Sequence, residues 1–332
     1  GLNSARAQLE AQEYSMERTR QTVVFNVISS YLNVILAEET IGIRQEEVQA
    51  QQQLLDQIQE FVNVGSRAIS DLYQQQATLA NAEAQLLTAE SNFQVNKTRL
   101  IQVLQLDPLS DYRFLAPDPS DIPLSVRSYN PEDLLLSAFE RRADLRAQEM
   151  AIEAAEQGIR ASRAGYLPSL NLSASHGAGY TSANERDNFN TQLKNNRSER
   201  LSLSLSIPLF NRLNVKRGIE SSKVQFANAR LDLENVQQNV AIEVRQAYLD
   251  YQTAIKRLEV TEKSLQAADQ ALQVEQERYE VGASTLVELQ QSRSQFVNAS
   301  SQRAQAVFQF HFQSRLLEYY QGILDPSQPL FN

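Results

Sequence analysis

This sequence predicts a mainly α-helical protein with a small β part, its helices arranged as long antiparallel coiled-coil hairpins. Three observations carry the expectation. The 332 residues include only 10 Gly and 9 Pro, while Gln, Ala, Leu, Glu and Ser dominate, a composition that favours long helices with few turns. A gap-free shift of 217 residues lays one end of the chain on the other, with Gly1 on Gly218, Tyr31-Leu32 on Tyr248-Leu249, Val64-Gly65 on Val281-Gly282, Leu72 on Leu289 and Leu100 on Leu317. Matches at one fixed offset mark an internal two-fold repeat. The third observation is an exception: "LSLSLSIPLF", residues 201–210, alternates as a strand does and then meets a proline.

Each repeat reads as a helical hairpin. The first arm runs from about Leu9 to Val62 and its counterpart from about Ile219 to Tyr279, with turns at "NVGSR" and "EVGAS". There Gly65 and Gly282 suit a left-handed helix stop. The return arm carries an uninterrupted heptad, Leu72, Leu79, Leu86, Phe93 and Leu100, flanked by Gln75, Ala82, Ala89, Asn96 and Val103. The second copy repeats the theme with Leu289, Phe296, Phe310 and Leu317 beside Ala299 and Ala306. Such a 3.5-residue period supercoils helices left-handedly, and alanines let the backbones approach. Arms of about 40 to 55 residues span roughly 60 to 80 Å, too long for a compact globule.

The expected divisions are a first hairpin at 1–106, a linker at 107–130, helices over 131–167, a β-hairpin at 168–210, a second helical hairpin at 211–325 and a tail at 326–332. "NPEDLL" opens a helix with Asn130 as N-cap and Pro131 at its first position. "RRADL" marks a break, after which Asp144 is expected to cap a helix reaching Ala164. Pro168 ends that helix, because the residue before a proline disfavours helical geometry.

In "SLNLSASHGAGY", residues 169–180, Leu170, Leu172, Ala174, Ala178 and Tyr180 share one face, with Ser169, Asn171, Ser173 and Ser175 on the other. Leu201, Leu203, Leu205 and Ile207 oppose Ser202, Ser204 and Ser206 in the same way, and the largely polar stretch from 181 to 200 reads as a long loop. A soluble hairpin packed on the helices would show this alternation too. Strand length, a serine face suited to a wet lumen, and the bracketing aromatics Tyr166, Phe210 and Tyr180 point to strands crossing a bilayer. Two strands cannot close a barrel, so others must come from further sequence or other subunits.

A net charge of −9 argues against an electrostatic nucleic-acid binder and gives no reason to expect attraction to an anionic lipid surface. Without Cys there are no disulfides, thiol catalysis or thiolate metal sites. His176 and His311 stand far apart with no ligand pattern, and "GAGY" lacks the following helix of a phosphate cradle. No catalytic, cofactor or metal site is expected, and the chain is not expected to be an enzyme.

The two-copy repeat, the tips "VNVGSRAISDL" and "YEVGASTLVEL", "AYLDYQTA", "ADLRAQEMAIEAAEQGIRASRAGYLPSLNLSAS" and "LSLSLSIPLF" together resemble the TolC-type outer-membrane efflux protein family over essentially the whole chain. The resemblance implies a homotrimer whose subunits build one transmembrane β-barrel above a periplasmic α-barrel tunnel. It further implies a passive exit duct in the outer membrane of a Gram-negative-type bacterium, for tripartite efflux or type I secretion. Its partners would be a periplasmic adaptor, an inner-membrane pump and outer-membrane lipid, with no nucleic acid and no cofactor. A soluble periplasmic coiled-coil scaffold, or an adaptor without a channel, is the alternative. Against the family pattern the first repeat starts after its own β-hairpin, so roughly 100 or more upstream residues, a helix, two strands and a signal peptide, are expected to precede Gly1.

Six residues after each tip glycine stands a carboxylate, Asp71 and Glu288. Each could simply complement the positive end of its helix. In a trimer they would gather at the tunnel entrance, where converging carboxylates repel and attract cations. By resemblance Glu288 matches an acidic entrance position, and Asp71 and Tyr279 match gate-closing links. Ser284 occupies the family's gate arginine position and Glu60 its acceptor glutamine, which leaves Arg67 as a substitute. By the same resemblance the turns Val64-Gly65-Ser66 and Val281-Gly282-Ala283 are adaptor-docking tips. Pro168 and Pro208 are expected at the strand–helix junctions.

Overall fold

In a computed structural model of the chain, residues 1–115, 124–183 and 188–324 are described. They form α1 (Leu2–Asn63), α2 (Ile69–Val103), α3 (Pro131–Arg141), α4 (Ala143–Arg163), a short 3-10 turn (Ala164–Tyr166), β1 (Ser169–Ala178), α5 (Phe189–Asn195), β2 (Arg197–Ser206), α6 (Asn214–Glu280) and α7 (Leu286–Gln321). The expected tail at 326–332 lies outside the described residues. The chain divides into two compact units, Gly1–Tyr14 with Arg146–Asn235, and Ser15–Leu145 with the chain from Val236 onward.

The first unit holds the β-hairpin. β1 and β2 pair antiparallel with Leu170 opposite Leu205, Leu172 opposite Leu203 and Ala174 opposite Leu201. Side chains alternate across a strand, so these six residues share one face. The serine face is linked by a 2.6 Å hydrogen bond between the Ser173 and Ser202 hydroxyls. Every residue of both strands is exposed.

Three details correct the sequence expectation. The apolar face is short, because its next pair is His176 opposite Glu199, with Nδ1 and Oε1 3.4 Å apart. The loop contains α5, capped by Asn188 accepting from the Thr191 amide and pinned by Gln192 accepting from the Thr181 amide at 2.9 Å. A helix of two turns leaves too short an apolar pattern to read from sequence. The junction that holds Pro208 is longer than the proline alone: β2 ends at Ser206 and α6 starts at Asn214, after a tight turn whose Asn214 amide donates to the Asn211 carbonyl at 2.9 Å.

In the second unit, Leu54, Ile58, Leu72, Leu272, Tyr279, Leu286 and Leu289 form a buried cluster from four helices. Each buried leucine contributes about 2 kcal/mol. Along the α2 heptad Leu72, Leu79 and Leu100 are buried, while Leu86 and Phe93 are half-buried. The heptad flank is not uniformly apolar: Gln75 is 0% exposed. Its amide donates to the Gln51 carbonyl at 2.9 Å and to Gln51 Oε1 at 2.7 Å. It also accepts from Gln290 at 2.8 Å, and Gln51 passes the chain to Glu47 at 2.6 Å. This relay satisfies the buried amides and joins α1, α2 and α7 at one level, as a buried polar group must be satisfied.

The break between α3 and α4 is built around Arg142, which is 4% exposed. Asn130 caps α3 by accepting from Glu132, with Pro131 next to it, as its sequence predicts. Asp144 is not the cap of α4, which starts one residue earlier at Ala143. Its carboxylate instead accepts from Arg142 Nε at 3.0 Å and Nη2 at 2.5 Å, and Arg142 Nη1 reaches Glu243 at 2.6 Å. Burial alone would raise the Asp144 carboxyl, but the hydrogen bonds and charge of Arg142 hold it below the usual carboxylate range. The end of α7 seats against this break: a Cβ on Gly322, whose φ is +72°, would meet the Arg141 backbone at 3.1 Å, so only glycine fits.

Candidate functional site at the hairpin tips

Both hairpins turn by the same backbone device. Gly65, at φ +77°, and Gly282, at φ +76°, occupy the left-handed region. In the first turn the Gly65 amide donates to the Val62 carbonyl at 3.0 Å and Ser66 to Phe61 at 2.8 Å; in the second, Gly282 donates to Tyr279 at 3.1 Å and Ala283 to Arg278 at 2.7 Å. This paired bonding is the Schellman stop, which satisfies carbonyls that the ending helix leaves open. Val64 and Val281 project into open solvent at the two apices, with Ser66 and Ala283 beside them.

Below the apices the chemistry differs. Ala68 stands at the N-cap of α2 with no side-chain hydrogen bond. Arg67, just outside it, lays its guanidinium over the Tyr279 ring at 4.6 Å. Tyr279 is buried, and its hydroxyl finds no hydrogen-bond partner among the described residues. Burial raises the pKa of that hydroxyl above the ordinary phenol value, the Arg67 charge opposes the rise and Asp71 adds to it. Arg67, Asp71 and Tyr279 are thus brought together, while Glu60 is exposed and joins no ion pair among the described residues.

α7 begins with a complete capping box. Thr285 accepts from the Glu288 amide, and the Glu288 carboxylate accepts in return from the Thr285 amide, at 2.9 Å. Glu288 also accepts from the Ser284 hydroxyl at 3.1 Å, and the same hydroxyl lies against Glu275. The Thr285 backbone and side chain and the Ser284 hydroxyl hold the Glu288 carboxyl below its ordinary range. Glu275 is itself paired with Arg278 at 2.9 Å. Glu275 and Thr285 are site residues the sequence expectation passed over, although "TLVE" at 285–288 has the spacing of a capping box.

Pro168 and Pro208 are both exposed, one directly before β1 and the other two residues after β2. His311 is buried, and burial, with Arg315 adding, lowers it to about 4; His176 lies on the exposed hairpin. Among the described residues no group of three His, Asp or Glu is placed to hold a metal ion, and no helix is long and apolar enough to cross a membrane.

Two long hairpins ending in glycine-stopped tips, with a strand pair carried on the second, are the fold of known outer-membrane channels. The Campylobacter jejuni CmeC outer membrane channel superposes with a TM-score of 0.73 at 18% identity, over 98% of this chain and 68% of its own. The outer-membrane channel OprN gives 0.77 at 20% identity, over 97% and 70%. A profile of the outer membrane efflux protein family matches residues 1–104 and 134–318, and the chain belongs to that family. The outer membrane protein TolC of Escherichia coli (strain K12) is 24% identical over 309 residues, 90% of this chain and 61% of TolC. The chain therefore spans about three fifths of the length of that relative.

Proposed function

We propose that the chain belongs to one subunit of a trimeric outer-membrane exit duct for efflux or type I secretion. The observation that carries this is the β-hairpin. It exposes a leucine face and a serine face at once, and among the described residues its two-stranded sheet leaves both outer edges unpaired. In water the leucine face would be unfavourable, and in lipid the open edges would be. Lipid against the leucines, water against the serines and further strands on both edges relieve both. Family membership supports the same conclusion.

The duct is a passive conduit, with energy supplied by an inner-membrane pump through a periplasmic adaptor. The adaptor docks at Val64-Gly65-Ser66 and Val281-Gly282-Ala283, whose valines stand exposed. Closure rests on the tip groups Asp71, Tyr279 and Arg67, with Glu288 and Ser284 on the second tip and Glu60 facing the neighbouring subunit. Opening untwists the coiled coils there, and a partner opens the duct by binding the open arrangement better than the closed one. Expression of the full-length gene product is expected to give a detergent-requiring trimer that conducts ions across a bilayer. A soluble monomer or dimer without conductance would establish the scaffold alternative instead. In the conducting protein, Asp71→Asn with Glu288→Gln is expected to weaken cation selectivity and block by divalent cations. Unchanged selectivity would leave both carboxylates as helix-start groups only.

A further inference from the structure

The acidic net charge hides an uneven distribution. Between residues 157 and 219 the sequence carries nine Lys and Arg against three Asp and Glu, in a chain whose total is −9. This stretch contains both strands, and part of its positive charge gathers where strands meet helices. Three contacts fix the geometry of that junction. The Ser162 and Ser222 hydroxyls lie 2.8 Å apart, a Cβ on Gly165 would meet Val215 at 3.0 Å, and Ser169 pairs with Ser206. The end of α4 therefore runs alongside the start of α6, directly beneath the hairpin. Arg163, Arg212, Lys216 and Arg217 are all exposed at this level.

Most of that charge is not neutralised locally. Nearby Arg160 is paired with Glu156 at 3.2 Å and Lys223 with Glu220 at 2.8 Å, a carboxylate that Lys216 also stabilises through space. Arg217 is hydrogen-bonded to the neutral Asn214 side chain. Among the described residues no ion pair involves Arg163, Arg212 or Lys216.

Beside these cations the chain exposes its apolar side chains. Leu209 is 93% and Phe210 83% exposed, and they lead into the turn Asn211–Asn214, in which Arg212 and Leu213 have φ of +50° and +64°. Two consecutive L-residues in the left-handed region are unfavourable, a conformation normally left to Asn and Gly. The turn keeps Phe210 and Leu213 on the outside rather than folding them under the helices. Aromatic and aliphatic groups next to Arg and Lys form the pattern of a membrane interface, where the apolar part enters the acyl region and the cations reach the phosphates.

We propose that this junction is an anchor for anionic phospholipid headgroups in the leaflet on the helix side of the membrane. Arg163, Arg212, Lys216 and Arg217 contact the phosphates, and Leu209 and Phe210 enter the acyl boundary. The proposal rests on the hairpin spanning the membrane, and it adds a ligand class, a leaflet and named residues to that. Charge complementarity selects the occupant: an acidic protein surface would need its own carboxylates aimed at this collar, whereas a phosphatidylglycerol leaflet presents anionic phosphates as a continuous sheet.

The test uses the full-length protein in detergent, titrated with phosphatidylglycerol or with phosphatidylethanolamine while thermal unfolding is followed. Phosphatidylglycerol is expected to raise the melting temperature, with the effect shrinking at high salt, and phosphatidylethanolamine to do little. The variant Arg212→Gln/Lys216→Gln/Arg217→Gln is expected to need about fivefold more phosphatidylglycerol for each cation removed. Arg212→Lys/Arg217→Lys, which keeps the charge, is expected to behave as the parent. So is Lys194→Gln/Arg197→Gln/Arg200→Gln at the other end of the strands, and inorganic phosphate is expected to give no shift. An unchanged response in the first variant, or an equal response to both lipids, would overturn the anchor. Dispersion without detergent and flotation with neither kind of vesicle would instead remove the membrane-spanning hairpin, and the anchor with it.

Discussion

At the tip of the first hairpin, α2 begins behind Ala68, which gives its helix no side-chain cap. At the tip of the second, α7 begins behind Thr285, which forms a full capping box with Glu288. Ala68 and Thr285 are 217 positions apart, as are Arg67 and Ser284, and Asp71 and Glu288. The same offset relates Gly65 to Gly282, whose backbones nearly coincide in φ. The backbone solution is common to both tips, and the side chains have diverged around it. In the second tip the carboxylate is engaged by its own helix start. In the first, Asp71 is left near a buried tyrosine, and the arginine is spent on the face of that ring. If the tips close a channel, the first is the one whose groups are less committed within the subunit.

Backbone substitutions should treat the tips alike and side-chain substitutions should not. The largest effect is expected from Gly65→Ala and Gly282→Ala, each lowering stability by about 1–2 kcal/mol through the left-handed strain alone. Neither site has an atom within 4 Å to clash with a new Cβ. Denaturant unfolding measures both, and a clear inequality would break the claim of a shared backbone device. Next, Thr285→Ala is expected to cost about 1 kcal/mol. Ala68→Ser, with φ −77° and ψ 145° already suited to a cap, is expected to recover a similar amount at the first tip.

Smaller still, Arg67→Ala should lose about 0.5–1 kcal/mol of cation–π attraction. Tyr279→Phe should be near neutral in the isolated subunit, because no partner is lost. A large change in channel opening from Tyr279→Phe would show that the hydroxyl finds its partner across subunits. The mildest prediction concerns pH. The Glu288 carboxyl is held below its ordinary range in the folded chain, so its contribution is present above pH 4.5 and fades as pH falls through the lowered value. The protection factors of the amides at the start of α7, corrected for the intrinsic exchange rate, should therefore fall on acidification, and Glu288→Gln should remove that dependence.

Much of the fold was legible because it follows from local chemistry. The glycine stops at 65 and 282 and the Asn130-Pro131 start each depend on a few neighbouring residues. The Leu–Ser alternation likewise shows which residues of each strand share a face. Asp71 and Glu288 stand at a fixed spacing from a glycine, whereas Tyr279, Arg67, Ser284 and Glu60 became candidates only through the family resemblance. What escaped is of two kinds. α5 is too short for its pattern to stand out, and the charge of residues 157–219 is concealed by an acidic total.

By itself, then, the sequence determined the helical arms, their glycine turns and the strand faces, because each is set by interactions within a few residues or by periodicity. Only the tertiary structure decided that Gln75 and Gln51 are buried in a relay rather than solvated. It also decided that Arg142, held by Asp144, reaches Glu243, and that Arg67 rests on Tyr279. Those outcomes join residues separated by 24, 101 and 212 positions. A buried polar group takes whichever partner the packing brings within about 3 Å, and no local pattern specifies which one that will be.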